Sequence, residues 1–168
     1  MGPPVKDALV RFGSIKDWRI LETAQWIPRS RNEVFAFFSD AHNLESITPP
    51  MLRFEVLSRR PIEMRAGLLI DYRIRLRGLP LRWQSEITAW KPPHRFVDEQ
   101  RRGPYRAWIH EHRFEDRDGG TLVTDRVRYR VLGGAVVDRL VVRRDLRAIF
   151  QYRRKRLEEL LPWAGSLR

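Results

Sequence analysis

A chain of 168 residues suits one domain that buries roughly two thirds of its unfolded surface, and the absence of cysteine excludes disulfides and thiolate chemistry. No stretch approaches the ~20 apolar residues of a membrane span, and residues 1–20 lack the apolar core of a secretory signal, so a cytoplasmic protein is expected. The net charge of +12 comes from 29 Arg against only 4 Lys. Either these guanidinium groups meet phosphate-bearing partners, or they reflect a GC-rich coding bias and lie on solvated strand faces. Aromatic residues do not interleave with the basic runs, so nucleic acid is not an expected partner.

Residues 1–17 carry Pro3, Pro4 and Gly13 with no sustained period and read as a loosely attached extension. The domain proper is expected over 18–162, with a tail at 163–168. A strand over 19–27 leads into Ser30-Arg31-Asn32-Glu33, a capping box ahead of Val34, Phe35 and Phe38, so a short helix follows. Asp40 is placed to cap a second short helix, stopped by Pro49-Pro50. Six strands are then predicted over 53–59, 68–76, 81–91, 95–101, 107–115 and 121–131, separated by turn-like segments too short for anything but antiparallel neighbours. Gly133-Gly134 breaks the pattern, and Asp138 is expected to cap a helix over 138–161, about 24 residues and ~36 Å long. Its apolar stripe is Val142, Leu146, Ile149, Phe150, Leu157 and Leu160. That helix is the element long enough to cover the sheet's buried face.

Strand parity locates the chemistry. In 121–131, Val123, Asp125, Val127, Tyr129 and Val131 share one face, while Thr124, Arg126, Arg128 and Arg130 share the other. Asp125 therefore points inward, where an ionised carboxylate is costly unless paired. His110 and His112 in 107–115 share a face with Trp108 and Phe114. Asp98 and Gln100 take the inward side of 95–101 if Phe96 does, with Val97 as the competing inward position. Tyr72 and Trp83 fall on the apolar faces of their strands. The expected ligand-contacting set is thus Tyr72, Trp83, Asp98, Gln100, Trp108, His110, His112, Asp125 and Tyr129, lining one continuous cavity. The turns 78–80, 103–105 and 132–135 fall at one end of a meander and could gate it.

The order strand, two short helices, six-strand meander and long C-terminal helix resembles the helix-grip fold of the START and pollen-allergen superfamily, SRPBCC. The segment Pro28-Arg29-Ser30-Arg31-Asn32-Glu33-Val34-Phe35 resembles that superfamily's strand-to-helix passage. Phe96-Val97-Asp98-Glu99-Gln100 with Gly103-Pro104-Tyr105 resembles its bacterial polyketide cyclase/dehydrase-like branch. The resemblance implies an α+β fold in which a curved seven-stranded antiparallel sheet wraps the C-terminal helix. It implies no single function, because the superfamily mixes carriers, receptors, cyclases and oxygenase subunits. The Cys-x-His and paired-Cys motifs of the iron–sulfur members are absent.

Two imidazoles two residues apart can ligate a metal, with Asp125 as a carboxylate ligand; the alternative is that they hydrogen-bond Asp125, Asp98 or a ligand. The second is the favoured reading, and no metal or cofactor is expected. Asp98 beside a histidine could also act as a general base. Three functions remain open: binding of a small apolar or aromatic molecule, a cyclase or dehydratase reaction in the same cavity, and a lipid or quinone carrier docking on anionic membrane through Arg73, Arg75, Arg77, Arg126, Arg128 and Arg130.

Overall fold

The structure, a computed structural model, describes residues 10–162; the first part of the expected extension and all of the expected tail lie outside them. In chain order the elements are β1 (Arg11–Ile15), β2 (Trp18–Ile27), α1 (Arg31–Ser39), α2 (Asn43–Ser46), β3 (Glu55–Val56), β4 (Leu69–Leu76), β5 (Leu79–Lys91), β6 (Arg95–Arg102), β7 (Ala107–Arg117), β8 (Gly120–Arg130), α3 (Gly134–Val137) and α4 (Arg143–Leu160). A turn of 3₁₀ helix, Pro50–Leu52, precedes β3.

The strands form one antiparallel sheet in the order β1-β2-β8-β7-β6-β5-β4-β3. From β3 to β8 this is the expected meander, with β2 added beside β8. The described residues hold eight strands rather than seven. The extra one is β1, a hairpin partner of β2 whose residues are mostly exposed and so carry no hydrophobic alternation to read. At the other edge the strand expected over 53–59 shrinks to Glu55–Val56, held by β4 alone. Register shifts between Gln84 and Ser85 and between Ile87 and Ala89 bend the long β5, which helps curl the sheet.

Ser30 and Glu33 form the expected capping box at the start of α1, each side chain meeting the other's backbone N–H. Asp40 accepts from the His42 amide at 2.9 Å just before α2. The C-terminal helix departs from expectation. It begins at Gly134, after the positive φ of Gly133 (+88°), and runs over residues 134–160 through a π-helical turn, Asp138–Val142. Asp138 caps nothing; it lies fully buried inside that turn. There it accepts from Tyr129 Oη at 2.8 Å and Arg143 Nε at 2.8 Å, with Arg19 Nε at 3.4 Å. A buried carboxylate in place of a surface cap is sustained by these three partners.

Leu146, Phe150 and Leu157 of α4 are buried, as their helical spacing requires. Leu146 and Phe150 pack on Leu21, Trp108, Val127 and Tyr129, and Leu157 joins Phe35, Phe38, Phe96 and Phe114 under α1. The sheet thus grips α4 on its concave side. Among the described residues, no helix is long and apolar enough to cross a membrane.

Candidate functional site

A cavity of about 170 Å3 lies between the inner face of β4–β7 and α4. Strand alternation supplies its sheet wall: Ile70, Tyr72 and Ile74 from β4, Trp83, Ser85 and Ile87 from β5, Phe96 and Asp98 from β6, and Trp108, His110 and His112 from β7. Leu146, Ile149, Phe150 and Arg153 of α4 complete the opposite side. The volume is in the range of a cavity that takes up a benzene ring. Its surface is mostly aromatic and aliphatic, and its acidic and basic side chains, Asp98, His110, His112 and Arg153, are gathered on β6, β7 and α4.

Those groups form one cluster because of register. Asp98 lies opposite His110, and His112 lies opposite Asp125, so two acids of different strands flank the two histidines of β7. The imidazoles lie tilted at 36° with centroids 3.8 Å apart, and Phe96 stacks on His112 at 4.2 Å. Asp125 Oδ1 is 3.1 Å from His110 Nε2 and 2.8 Å from His112 Nδ1; Asp98 Oδ2 is 3.3 Å from His112 Nε2 and 3.8 Å from His110 Nδ1. Each of these two carboxylate oxygens therefore faces one nitrogen of each ring. Thr23 Oγ1 donates to the other oxygen of Asp125 at 3.4 Å.

The electrostatics follow from that cage. Burial opposes ionisation of Asp98 and Asp125, but their bonds to the histidines outweigh it and hold both carboxyls below the usual range, Asp125 the further; Arg153 adds its charge at Asp98. His112 is raised: burial works against its cation, yet bonds to both acids prevail. His110 is lowered, by burial first and by the charge of His112 second. Two carboxylates held toward their ionised forms thus surround two histidines of opposite tendency, His112 toward its cation and His110 toward its neutral form, with a guanidinium nearby.

Six of the nine predicted contacts line the cavity: Tyr72, Trp83, Asp98, Trp108, His110 and His112. The other three do not. Gln100 is tied to the following loop, donating to the Tyr105 carbonyl at 2.7 Å and accepting the Tyr105 amide at 3.2 Å. Tyr129 is wholly buried against Leu146 and Phe150 and spends its hydroxyl on Asp138. Asp125 faces a second space of about 170 Å3, lined also by Thr23, Gln25 and Val123, which shares Phe150 and Arg153 with the first. One continuous cavity for all nine is thus corrected: β8 lies beneath α4, so its inward residues meet the helix and the space beside it.

Sequence reasoning missed Arg153 and Tyr105. Arg153 sits three residues after Phe150 on the inward stripe of α4, a spacing that could have revealed it. Its Nε and Nη1 are buried without a hydrogen-bond partner among the described residues. Tyr105 packs its ring against Trp83 and Trp108, at 5.7 Å and 4.7 Å.

An open, curved antiparallel sheet closed by a C-terminal helix over an internal apolar space defines the helix-grip class. The chain belongs to the family described as polyketide cyclase / dehydrase and lipid transport, whose profile matches residues 27–151. Among solved structures it is similar to protein Ms6760 from Mycobacterium smegmatis, at 20% identity over 84% of this chain and 90% of that one, TM-score 0.64. It is also similar to major latex-like protein 151 from Panax ginseng, at 12% identity over 88% and 99%, TM-score 0.66. A Thermus thermophilus protein, TTHA0849, matches at 21% identity over 88% and 99%, TM-score 0.63. At these identities the likeness is one of fold. No curated protein matches the chain.

Proposed function

We propose that the domain over 18–162 binds a small apolar or aromatic molecule in the cavity between β4–β7 and α4, in the cytoplasm. The observation that carries this reading is an aromatic-lined internal space with its acidic and basic side chains confined to one region. Tyr72, Trp83 and Trp108 supply the apolar contact, and Asp98, His110 and His112 orient a polar substituent. Gln100, Asp125 and Tyr129 act from behind, by holding Tyr105, the histidines and the start of the helix. The test is native mass spectrometry for a co-purified molecule, followed by titration with an environment-sensitive naphthalene probe. Ile87→Phe, which fills the space, should abolish probe uptake while circular dichroism stays unchanged. An empty protein that takes up no probe while fully folded would refute the reading.

A second reading, a cyclase or dehydratase reaction in the same space, is favoured by the Asp98–His112 contact at the cavity wall. An acid held toward its ionised form beside a histidine can exchange a proton with a bound substrate. The third, docking of a carrier on anionic membrane, draws on the +12 charge but meets an obstacle. Of its six arginines, Arg73, Arg77, Arg126 and Arg130 are ion-paired with Glu55, Asp145, Glu22 and Asp17.

A further inference from the structure

The two histidines of β7 divide their nitrogens between two acids, and only one of those acids faces the cavity. Asp125 Oδ1 takes His110 Nε2 at 3.1 Å and His112 Nδ1 at 2.8 Å, and Asp125 is not among the cavity's lining residues. A neutral imidazole carries one N–H and one lone pair. His110 gives its N–H to Asp125, so its Nδ1 presents a lone pair beside the Asp98 carboxylate, while His112 Nε2 shares with Asp98, at 3.3 Å, a proton that a cation would replace. With that proton displaced, three ligand atoms converge on one place. They lie within 4.8 Å of one another, with Asp98 Oδ2 3.3 Å and 3.8 Å from the two nitrogens.

Those separations suit a cation. Two ligands held at ordinary zinc distances in tetrahedral geometry sit ~3.4 Å apart; Asp98 Oδ2 already stands at 3.3 Å and 3.8 Å from the two nitrogens, and the nitrogens, within 4.8 Å of each other, close on the ion. The outer arrangement also matches what metal-bound histidines require, a carboxylate on the second ring nitrogen that fixes tautomer and ring orientation. Asp125 does this for His110 through the bond to Nε2 and holds His112 Nδ1 by its charge at 2.8 Å, and Thr23 anchors it in turn.

We propose that Asp98, His110 and His112 form a binding site for a divalent transition-metal ion on the cavity wall, with Asp125 as the positioning residue behind both histidines. Two imidazoles and one carboxylate suit zinc or ferrous iron rather than magnesium or calcium. Three protein ligands leave coordination positions open toward the cavity, where a polar group of a bound molecule can occupy one. This assigns Asp98 the ligand role that the sequence pattern gave to Asp125.

The test uses the full chain without an affinity tag, stripped with chelator and titrated with Co2+ and Zn2+ at neutral pH. One equivalent should bind, and Co2+ should develop visible d–d absorption. His110→Ala and His112→Ala should each abolish that signal, while His42→Ala and His94→Ala leave it unchanged. Asp125→Asn should weaken binding about 10- to 100-fold, shifting the cobalt spectrum but keeping the one-to-one stoichiometry. Circular dichroism identifies any variant that fails to fold, and Asp98→Asn, which keeps the shape of the side chain, then supplies the loss-of-binding arm. Absence of a one-to-one site, or a site that survives His110→Ala with His112→Ala, overturns the proposal. No small molecule enters these measurements, so their failure leaves the apolar-ligand reading standing.

Discussion

His112 and Asp125 sit directly opposite each other on β7 and β8, with Nδ1 2.8 Å from Oδ1, yet the ring nitrogen is not aligned for a hydrogen bond. The contact is electrostatic before it is directional, and the aligned bond to Asp125 comes from His110 Nε2 at 3.1 Å. Asp125 therefore serves as a fixed negative charge shared by two rings.

Removing that charge should be costly. Asp125→Leu leaves two buried imidazoles with Asp98 as their remaining acid, and breaking a buried pair from one side costs about 3 kcal/mol or more. Urea unfolding monitored by tryptophan fluorescence should show a lower midpoint at constant slope, with Asp125→Asn less affected. An unchanged midpoint for Asp125→Leu would mean that water replaces the carboxylate fully.

Alkaline pH should loosen the fold through its tyrosines. Burial, first among the causes, holds Tyr72, Tyr105 and Tyr129 well above the ordinary phenol range, and the bond to Asp138 adds to it at Tyr129. A folded pKa raised above the unfolded value of about 10 gives stability that is complete below that pH and is lost as pH rises through and beyond it. Stability measured from pH 8 to 11 should thus fall at the upper end. Tyr129→Phe should flatten that fall while lowering stability at pH 8 by about 1 kcal/mol.

Gln100 should control the loop after β6. Its amide makes two bonds to the Tyr105 backbone, so Gln100→Ala should raise hydrogen exchange at Tyr105 and cost about 1–2 kcal/mol. A Cβ on Gly103 would come 2.3 Å from Gln100 Oε1, so Gly103→Ala should displace the same side chain and give the same exchange signature. Unaltered exchange in both would show that Tyr105 is held by its aromatic neighbours alone.

The arginine face should be close to silent. Arg126→Glu with Arg128→Glu is expected to change binding to anionic vesicles little at physiological salt, since Arg126 is paired with Glu22 and Arg128 lies over the Trp18 ring. Strong vesicle binding that the double variant loses, steeply dependent on salt, would reverse the ranking of the three functions.

Alternation read correctly which residues of β8 face inward, including Asp125, and placed both histidines of β7 on the buried side. Parity reports a face, however, and carries no information on position across the sheet. Asp125 and Tyr129 point inward beneath α4, while the main cavity lies under β4–β7. A second gap has the same character: Asp138 has the composition of a cap, and only the three-dimensional approach of Tyr129 and Arg19 reveals it as a buried acceptor. The edge strand β1 was illegible for a different reason, because a hairpin with most residues in water imposes no apolar period.

Phe150 and Arg153 line both internal spaces, so two side chains on one turn of α4 stand between these chambers, beside the contact of the histidines with Asp125. Turning a side chain requires no movement of the strands. Swinging the Phe150 ring aside would join the chambers while the sheet stays still, giving the protein two capacities on one backbone: a short occupant under β4–β7, or a longer one threaded past Asp125.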